Sequence, residues 1–392
     1  MSARSLPAIV LALCASFVLA SCSGSGSSAH DSETAPALPT PLATSLPTAA
    51  GTWATVPMGH LGQPLNTFWQ LLFRPAVGGP WSNHIEATAV ATNGGLVLGS
   101  PRGAALIAGI RPSNLLTFSP LIYTSSAGRS WSNGLLPRGL AARPDALAAD
   151  SLTQALALVE GATGAQVLAS AGNLSAWRTA VTQRQLAGTS AGRACGLSAL
   201  TAVAYLGGSP LVGASCGRPG VAGLFLQRAG RWQLLGGALP AALARARVEV
   251  LALERADGGI GALLDVSGTV AQSGLIAAWY AGGRWSGSAP LPVGLSERVA
   301  SVGPTGSDGM FALLTSASRP ARLALASGPG AGWRQLPSPP AGTATVAFDP
   351  SAGAEALAVQ GSTLDVWTLD RGTRAWARRQ SLKVDVEYGS SE

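Results

Sequence analysis

The chain has 392 residues, of which 47% are hydrophobic and only 11% charged, with 50 glycines and 26 prolines. It is long enough to bury a large core and too apolar and weakly charged to be an intrinsically disordered protein. The formal charge of +7 is carried almost entirely by scattered arginines, Lys383 being the only lysine, so no concentrated nucleic-acid face and no nucleic-acid partner are expected.

Arg4 precedes a short apolar run over residues 6–20 that closes on Leu19-Ala20-Ser21-Cys22. A basic start, an apolar stretch shorter than a comfortable membrane span and small residues before a cysteine read as an export signal over residues 1–21. The ending resembles the lipobox of bacterial lipoproteins. That resemblance implies cleavage before Cys22 and acylation of its thiol, which would hold the protein on the extracytoplasmic face of the cell membrane by lipid alone. Residues 22–50 are rich in Ser, Thr, Pro and Ala, contain no aromatic residue, and read as a disordered linker. The folded domain is expected over residues 51–392.

Cys14 lies inside the signal and Cys22 is the anchor, leaving Cys195 and Cys216. In an exported protein the remaining pair is most simply a disulfide. Two cysteines without a neighbouring histidine fall short of a zinc site, so no metal and no other cofactor is expected. The three histidines, His30, His60 and His84, stand near the N-terminus.

Seven of the eleven tryptophans, Trp81, Trp131, Trp177, Trp232, Trp285, Trp333 and Trp376, recur at intervals of 43 to 55 residues. A period of that length marks one supersecondary unit repeated around an axis or along a line. Before most of these tryptophans runs an alternating apolar strand and a glycine-containing turn, as in LIYTSSAGRS before Trp131 and LIAAWYAGGR before Trp285. Further upstream, Asn93-Gly94, Gly207-Gly208, Asp257-Gly258 and Asp308-Gly309 sit between apolar runs and signal hairpins. With no convincing helical period anywhere, the sequence predicts an all-β fold: a β-propeller of about seven four-stranded blades. Six blades with an N-terminal appendage is the alternative. For seven, closure would join the outer hairpin before Trp81 to the strand SLKVDVEYG after Trp376, completing a blade from both ends.

The tryptophan turns resemble the Asp-box repeats of sialidase-like propellers, in which Ser-x-Asp-x-Gly-x-x-Trp caps the turn between a blade's outer strands. Thr124 to Trp131 matches best, with Ser126 in the aspartate position, and no copy keeps the aspartate at that spacing. Gly372 and Trp376 alone echo the quinoprotein propellers. A sialidase-like glycosidase needs converging arginines, a tyrosine nucleophile with an acidic partner and an acid catalyst. Phe73-Arg74-Pro75 is a partial match to one motif of that family, and Glu254, on the predicted strand VEVLALE, is placed to point into the central pore. Glu249 and Glu254 are five apart on that strand and are expected on opposite faces. Neither His60 nor His84 has the context of a catalytic triad. No catalytic residue is assigned. The sequence favours a monomeric, non-catalytic binding or scaffolding module for a protein or a cell-envelope glycan, anchored to the membrane by lipid, with a glycoside hydrolase as the rival. Trp69, Trp279 and Trp367 are expected to pack between blades rather than to stack on sugars. Arg371, Arg374, Arg378 and Arg379 are expected on a solvated blade edge.

Overall fold

The computed structural model describes residues 42–384 apart from 60–66, 89, 102, 112–116, 142–144, 162–163, 237–242, 257–258, 269–272, 307 and 350–352. It contains 28 strands arranged as seven consecutive antiparallel blades. Blade 1 is β1 (Thr44–Thr48), β2 (Gly51–Gly59), β3 (Thr67–Pro75) and β4 (Ser82–Asn83); blade 2 is β5 (Leu96–Gly99), β6 (Leu106–Ile110), β7 (Ser119–Thr124) and β8 (Ser132–Leu136). Blade 3 is β9 (Leu147–Ser151), β10 (Gln154–Val159), β11 (Gln166–Ser170) and β12 (Trp177–Thr182); blade 4 is β13 (Leu197–Leu206), β14 (Ser209–Cys216), β15 (Gly223–Arg228) and β16 (Arg231–Leu234). Blade 5 is β17 (Arg247–Ala256), β18 (Gly259–Ser267), β19 (Gly274–Ala281) and β20 (Arg284–Gly287). Blade 6 is β21 (Glu297–Pro304), β22 (Met310–Ser316), β23 (Arg322–Ala326) and β24 (Trp333–Leu336); blade 7 is β25 (Thr343–Asp349), β26 (Gly353–Gln360), β27 (Thr363–Leu369) and β28 (Trp376–Lys383). The fold is the β-propeller that the tryptophan period predicts, with seven blades rather than six.

The first strand of each blade lies innermost. The second and third strands are covered on both faces by neighbouring blades, so they read as near-continuous apolar runs; Ile260 to Leu264 of β18 are all buried. Cores accordingly straddle blade seams. One combines Ala252, Leu263 and Trp279 of blade 5 with Val302, Met310 and Leu314 of blade 6. Blades 4 and 5 also share a short ladder between β14 and β17, Ser215 pairing Glu249 and Cys216 pairing Val248. The blades approach so closely there that a Cβ on Gly213 would stand 2.7 Å from Val250 of β17. Gly207 and Gly208, with φ of 59° and 77°, supply the primed two-residue turn between β13 and β14. Asp257-Gly258, between β17 and β18, lies outside the described residues, and Asp308-Gly309 lies between β21 and β22. Asn93-Gly94 is different: it precedes β5, and the inner turn of blade 2 falls between Gly99 and Leu106.

Closure differs from the sequence expectation. Blade 1 is complete within the N-terminal part of the chain, because β1 and β2 supply its inner hairpin, and SLK belongs to β28, the outer strand of blade 7. No strand is shared between the ends among the described residues. β1 lies inside the stretch read from composition as linker. Its few large apolar side chains hide the strand; it is held by pairing with β2 and by Ser45 Oγ donating to the carbonyl of Val346 and Thr44 Oγ1 to that of Val302. Blades 1 and 7 close on each other through Ala54, Val56, Met58 and Leu72 against Leu357, Leu364 and Val366.

Two short helices, α1 (Gln183–Ala187) and α2 (Ser190–Cys195), connect blades 3 and 4. They are too short to show a period, but their ends are written in the sequence. Thr182 and Gln185 form a capping box, Thr189 caps α2, and Gly196 ends it with φ of 64°. Cys195 at the end of α2 is disulfide-bonded to Cys216 of β14, tying this connector to blade 4. Closing a loop of 21 residues contributes about 3 kcal/mol on the chain-entropy model.

All seven periodic tryptophans sit at the first or second residue of the outermost strand or at the residue before it. Trp81 is buried and the other six are half-buried. Their indole N–H groups reach the preceding blade in four cases: Trp285 donates to Leu235 O (2.9 Å), Trp333 to Leu275 O (3.2 Å), Trp376 to Pro337 O (3.2 Å) and Trp81 to the Glu355 carboxylate of blade 7 (3.0 Å). Trp131 meets Trp53 and His84 of blade 1, with ring centroids 5.6 and 6.3 Å away. Trp177 instead donates to Leu174 O in its own turn, and Trp232 packs on the core shared by blades 2 to 4. The period therefore marks rivets between blades.

Candidate functional site

The inner strands leave a basin of about 1340 Å3 at the mouth of the central channel. Its walls come from the ends of β1, β5, β13, β17 and β21 with their turns, from β9, and from the turn after β19. Much of the lining is Gly, Ala, Pro and Ser, with Tyr205, Tyr280, Arg228, Arg255 and Asp308 the larger polar side chains and the carboxyls of Asp145 and Glu254 beside them.

Asp145 stands just ahead of β9, where its backbone bridges in parallel to Ala202 of β13. Its Oδ2 accepts the backbone N–H of Leu253 in β17 at 2.8 Å. The innermost strand of a blade has no further strand on its channel side, so such an N–H needs a side-chain or solvent acceptor; Asp145 supplies one and thereby links three blades. Glu254 follows Leu253. Burial drives the Glu254 carboxyl up to about 8, and burial together with the nearby Glu254 charge drives Asp145 well above the ordinary carboxyl range, against the lowering effect of its backbone hydrogen bonds. At neutral pH Glu254 is therefore mostly protonated, and Asp145 is shifted in the same direction.

Sequence spacing placed Glu249 and Glu254 on opposite faces, and the structure corrects this. Leu251 is bulged, Val250 pairing Leu264 while Ala252 pairs Leu263, so the alternation slips by one residue. Glu249 pairs Asp265 and Glu254 pairs Gly261, both on the same face. They still belong to separate pairs: Asp265 is raised by burial and by Glu249, whereas Glu254 faces Asp145. Equivalent bulges occur at Thr201, Ala300 and Ala344 in β13, β21 and β25.

The other groups of the basin are largely committed. Arg255 pairs with Asp150 across blades 5 and 3 at 2.7 Å. The Tyr205 phenol is raised, first by burial and then by the Asp150 charge, with Arg178 opposing. It is an uncharged hydroxyl rather than a phenolate nucleophile. Among the described residues no three His, Cys, Asp or Glu side chains gather as a metal site.

Cys22, His30 and His60 lie outside the described residues. Arg74 does not reach the channel. It forms a buried ion pair with Glu355 at 3.1 Å in the seam between blades 1 and 7, where Trp81 also donates to Glu355. Trp69 and Trp279 are buried and Trp367 half-buried on third strands, as packing between blades requires. Arg371, Arg374, Arg378 and Arg379 are exposed on the turn and outer strand of blade 7, Arg378 reaching Asp365 at 3.5 Å. His84 lies in the aromatic group of Trp53, Phe73 and Trp131; burial lowers its pKa, the charge of Glu86 acting the other way.

Fixed-spacing reading missed three residues. Asp145 has no local motif, and its role arises from contacts about 57 and 108 residues away in sequence. Asp370 caps the blade 7 turn by accepting the N–H groups of Gly372 (3.0 Å) and Thr373 (2.7 Å), and Asn173 does the same for Ser175 and Ala176 in blade 3. Each stands one residue away from the aspartate position of the Asp-box pattern. In blade 2 Ser126 Oγ accepts from Ser130 N at 2.9 Å.

No protein-family model matches the chain, and no curated protein matches its sequence. Similar folds occur among solved structures. The GH74 xyloglucanase of Xanthomonas campestris superposes with a TM-score of 0.56 at 15% identity over 86% of this chain, which spans 54% of that longer protein. A protein from Bacteroides uniformis described as a putative 6-phosphogluconolactonase gives 0.54 at 11% identity over 84% of this chain and 96% of its own. The β-propeller domain of Myceliophteria thermophila Cps50 (Swd1) gives 0.50 at 8% identity over 83% and 96%. At these identities the likeness is one of fold, and the neighbours' activities differ among themselves.

Proposed function

We propose that this chain is a non-catalytic binding module that holds a cell-envelope glycan in the basin at the channel mouth, on a propeller tethered to the outer side of the membrane by acyl chains on Cys22. The single observation carrying this reading is the chemistry of the basin. It is wide and open, walled by small residues and hydroxyls, and Glu254 within it is mostly protonated at neutral pH while burial pushes Asp145 the same way. A hydrogen-bonding concavity walled mainly by small residues suits a polyhydroxylated ligand better than a charged protein epitope. A retaining or inverting glycosidase needs a carboxylate beside its acid. The neighbour of Glu254 is itself raised, the Tyr205 phenol is raised and Arg255 is occupied by Asp150.

The test is retention of soluble cell-wall polysaccharide by the immobilised protein. Ala148→Trp, which fills the basin wall, should abolish retention with the fold intact by circular dichroism, while Glu254→Gln, a neutral isostere, should leave it within a few-fold. Cys22→Ala should release the protein to the medium without changing retention. Hydrolysis of aryl glycosides that disappears in Glu254→Gln would replace this reading with a glycosidase.

A further inference from the structure

A second cavity, of about 740 Å3, opens on the flank of the ring where blade 2 meets blade 3. Its volume lies within the roughly 300–1,000 Å3 of small-molecule sites. The wall is one face of the outer half of blade 3. Leu168 of β11 pairs Thr179 of β12, and Trp177 is two residues from Thr179, so the three side chains project to the same side. Leu168 is a buried floor, Trp177 a half-buried wall and Thr179 an exposed hydroxyl. Arg138, from the segment leaving β8, and Glu160, following β10, stand exposed at the rim. Trp177 is also the periodic tryptophan whose N–H turns back to its own turn, at Leu174, so it is not spent on a carbonyl of the preceding blade. Of the four large hydrophobic residues most exposed among the described ones, Phe118 and Leu135 lie within two residues of cavity-lining Thr117 and Pro137.

We infer that this cleft is a sugar-binding subsite, in which a neutral pyranose ring stacks on Trp177 while Arg138 and Glu160 hydrogen-bond its hydroxyls. The apolar C–H face of a pyranose matches an indole wall, and paired ring hydroxyls match the fork of a guanidinium and the two oxygens of a carboxylate. The subsite is separate from the basin and shares with the binding reading only the class of ligand.

The experiment uses the soluble chain lacking its signal, with cellotetraose, chitotetraose and maltotetraose as probes in saturation-transfer NMR and titration calorimetry. At least one should bind, with affinity reduced tenfold or more in Trp177→Ala and several-fold in the exposed-site variant Arg138→Ala. Trp333→Ala, the corresponding position in blade 6, should bind as the parent does. Ala148→Trp separates the two sites: loss of binding there, with Trp177→Ala and Arg138→Ala unaffected, would overturn the flank subsite and leave the basin reading standing. Binding that survives Ala148→Trp and is lost in Trp177→Ala supports the subsite whatever the outcome at the basin. Absence of binding by all three probes overturns it.

Discussion

Asp145 and Glu254 hold protons in the folded protein that the unfolded chain releases. For Glu254 the window runs from the ordinary value of 4.5 up to about 8. Within it the native state binds more protons than the unfolded state, so stability falls as pH rises through the window; below 4.5 its contribution is fully present, and above about 8 no further loss occurs. Both residues retain some contact with solvent in the channel, which discounts the effect to on the order of 3 kcal/mol. Thermal unfolding followed from about pH 5 to about pH 8 should show a falling melting temperature. Glu254→Gln should flatten that slope, and an unchanged slope would show that the acid titrates normally. The relation of Glu254 to Glu249 illustrates how a local rule is defeated: five residues on one strand imply opposite faces, but one bulge at Leu251 shifts the alternation and puts both on the same face.

At the scale of elements, the tryptophan at the head of each outer strand is the recurring device, and its contribution depends on what it reaches. Trp81 is 2% exposed and donates to a carboxylate, whereas Trp285 is half-buried and donates to a carbonyl. Trp81→Ala should cost about 3–5 kcal/mol, in the range of fully buried aromatics, with Trp285→Ala below that range. Urea unfolding of the two variants checks the order, and equal losses would show that burial is not the governing difference. The period was readable because tryptophan is rare and each copy places it at one point of the blade. The strands before it were readable because burial on both faces leaves a strongly apolar run. The turn caps Asp370 and Asn173 were not, because turns of different length move the capping side chain along the sequence while its hydrogen bonds stay alike. β1 escaped because it pairs through its backbone and buries small or polar residues such as Ser45, and Asp145 because its partners are supplied by other blades.

At the scale of the whole molecule, the ring closes without sharing a strand among the described residues. The seam between blades 1 and 7 is made by apolar packing, by Arg74 and Trp81 on Glu355, and by Gln380, whose side chain accepts from Trp81 N and donates to Trp81 O, both at 2.8 Å. Breaking one partner of a buried ion pair leaves the other uncompensated, at a cost of about 3–5 kcal/mol. Glu355→Ala should therefore destabilise the protein by about that amount, with Arg74→Ala similar and the double variant less than additive. Chemical unfolding of the three variants measures this, and full additivity would show that the two residues act apart.

The direction of the tryptophan bonds has its own consequence. Each of the four indoles that leaves its blade donates backwards, and blade 1 donates to blade 7 as though it followed it. Blades 5, 6 and 7 thus each carry an indole donor on one flank and its acceptor on the other, the head-to-tail relation by which separate subunits form closed cyclic oligomers. The propeller is, in this sense, a heptamer whose protomers happen to be covalently joined, and the joins are dispensable to its logic. A chain reconnected through a flexible linker from residue 384 to residue 43 and opened in the segment between Leu336 and Thr343 would keep every seam, with the order of its subunits merely renumbered.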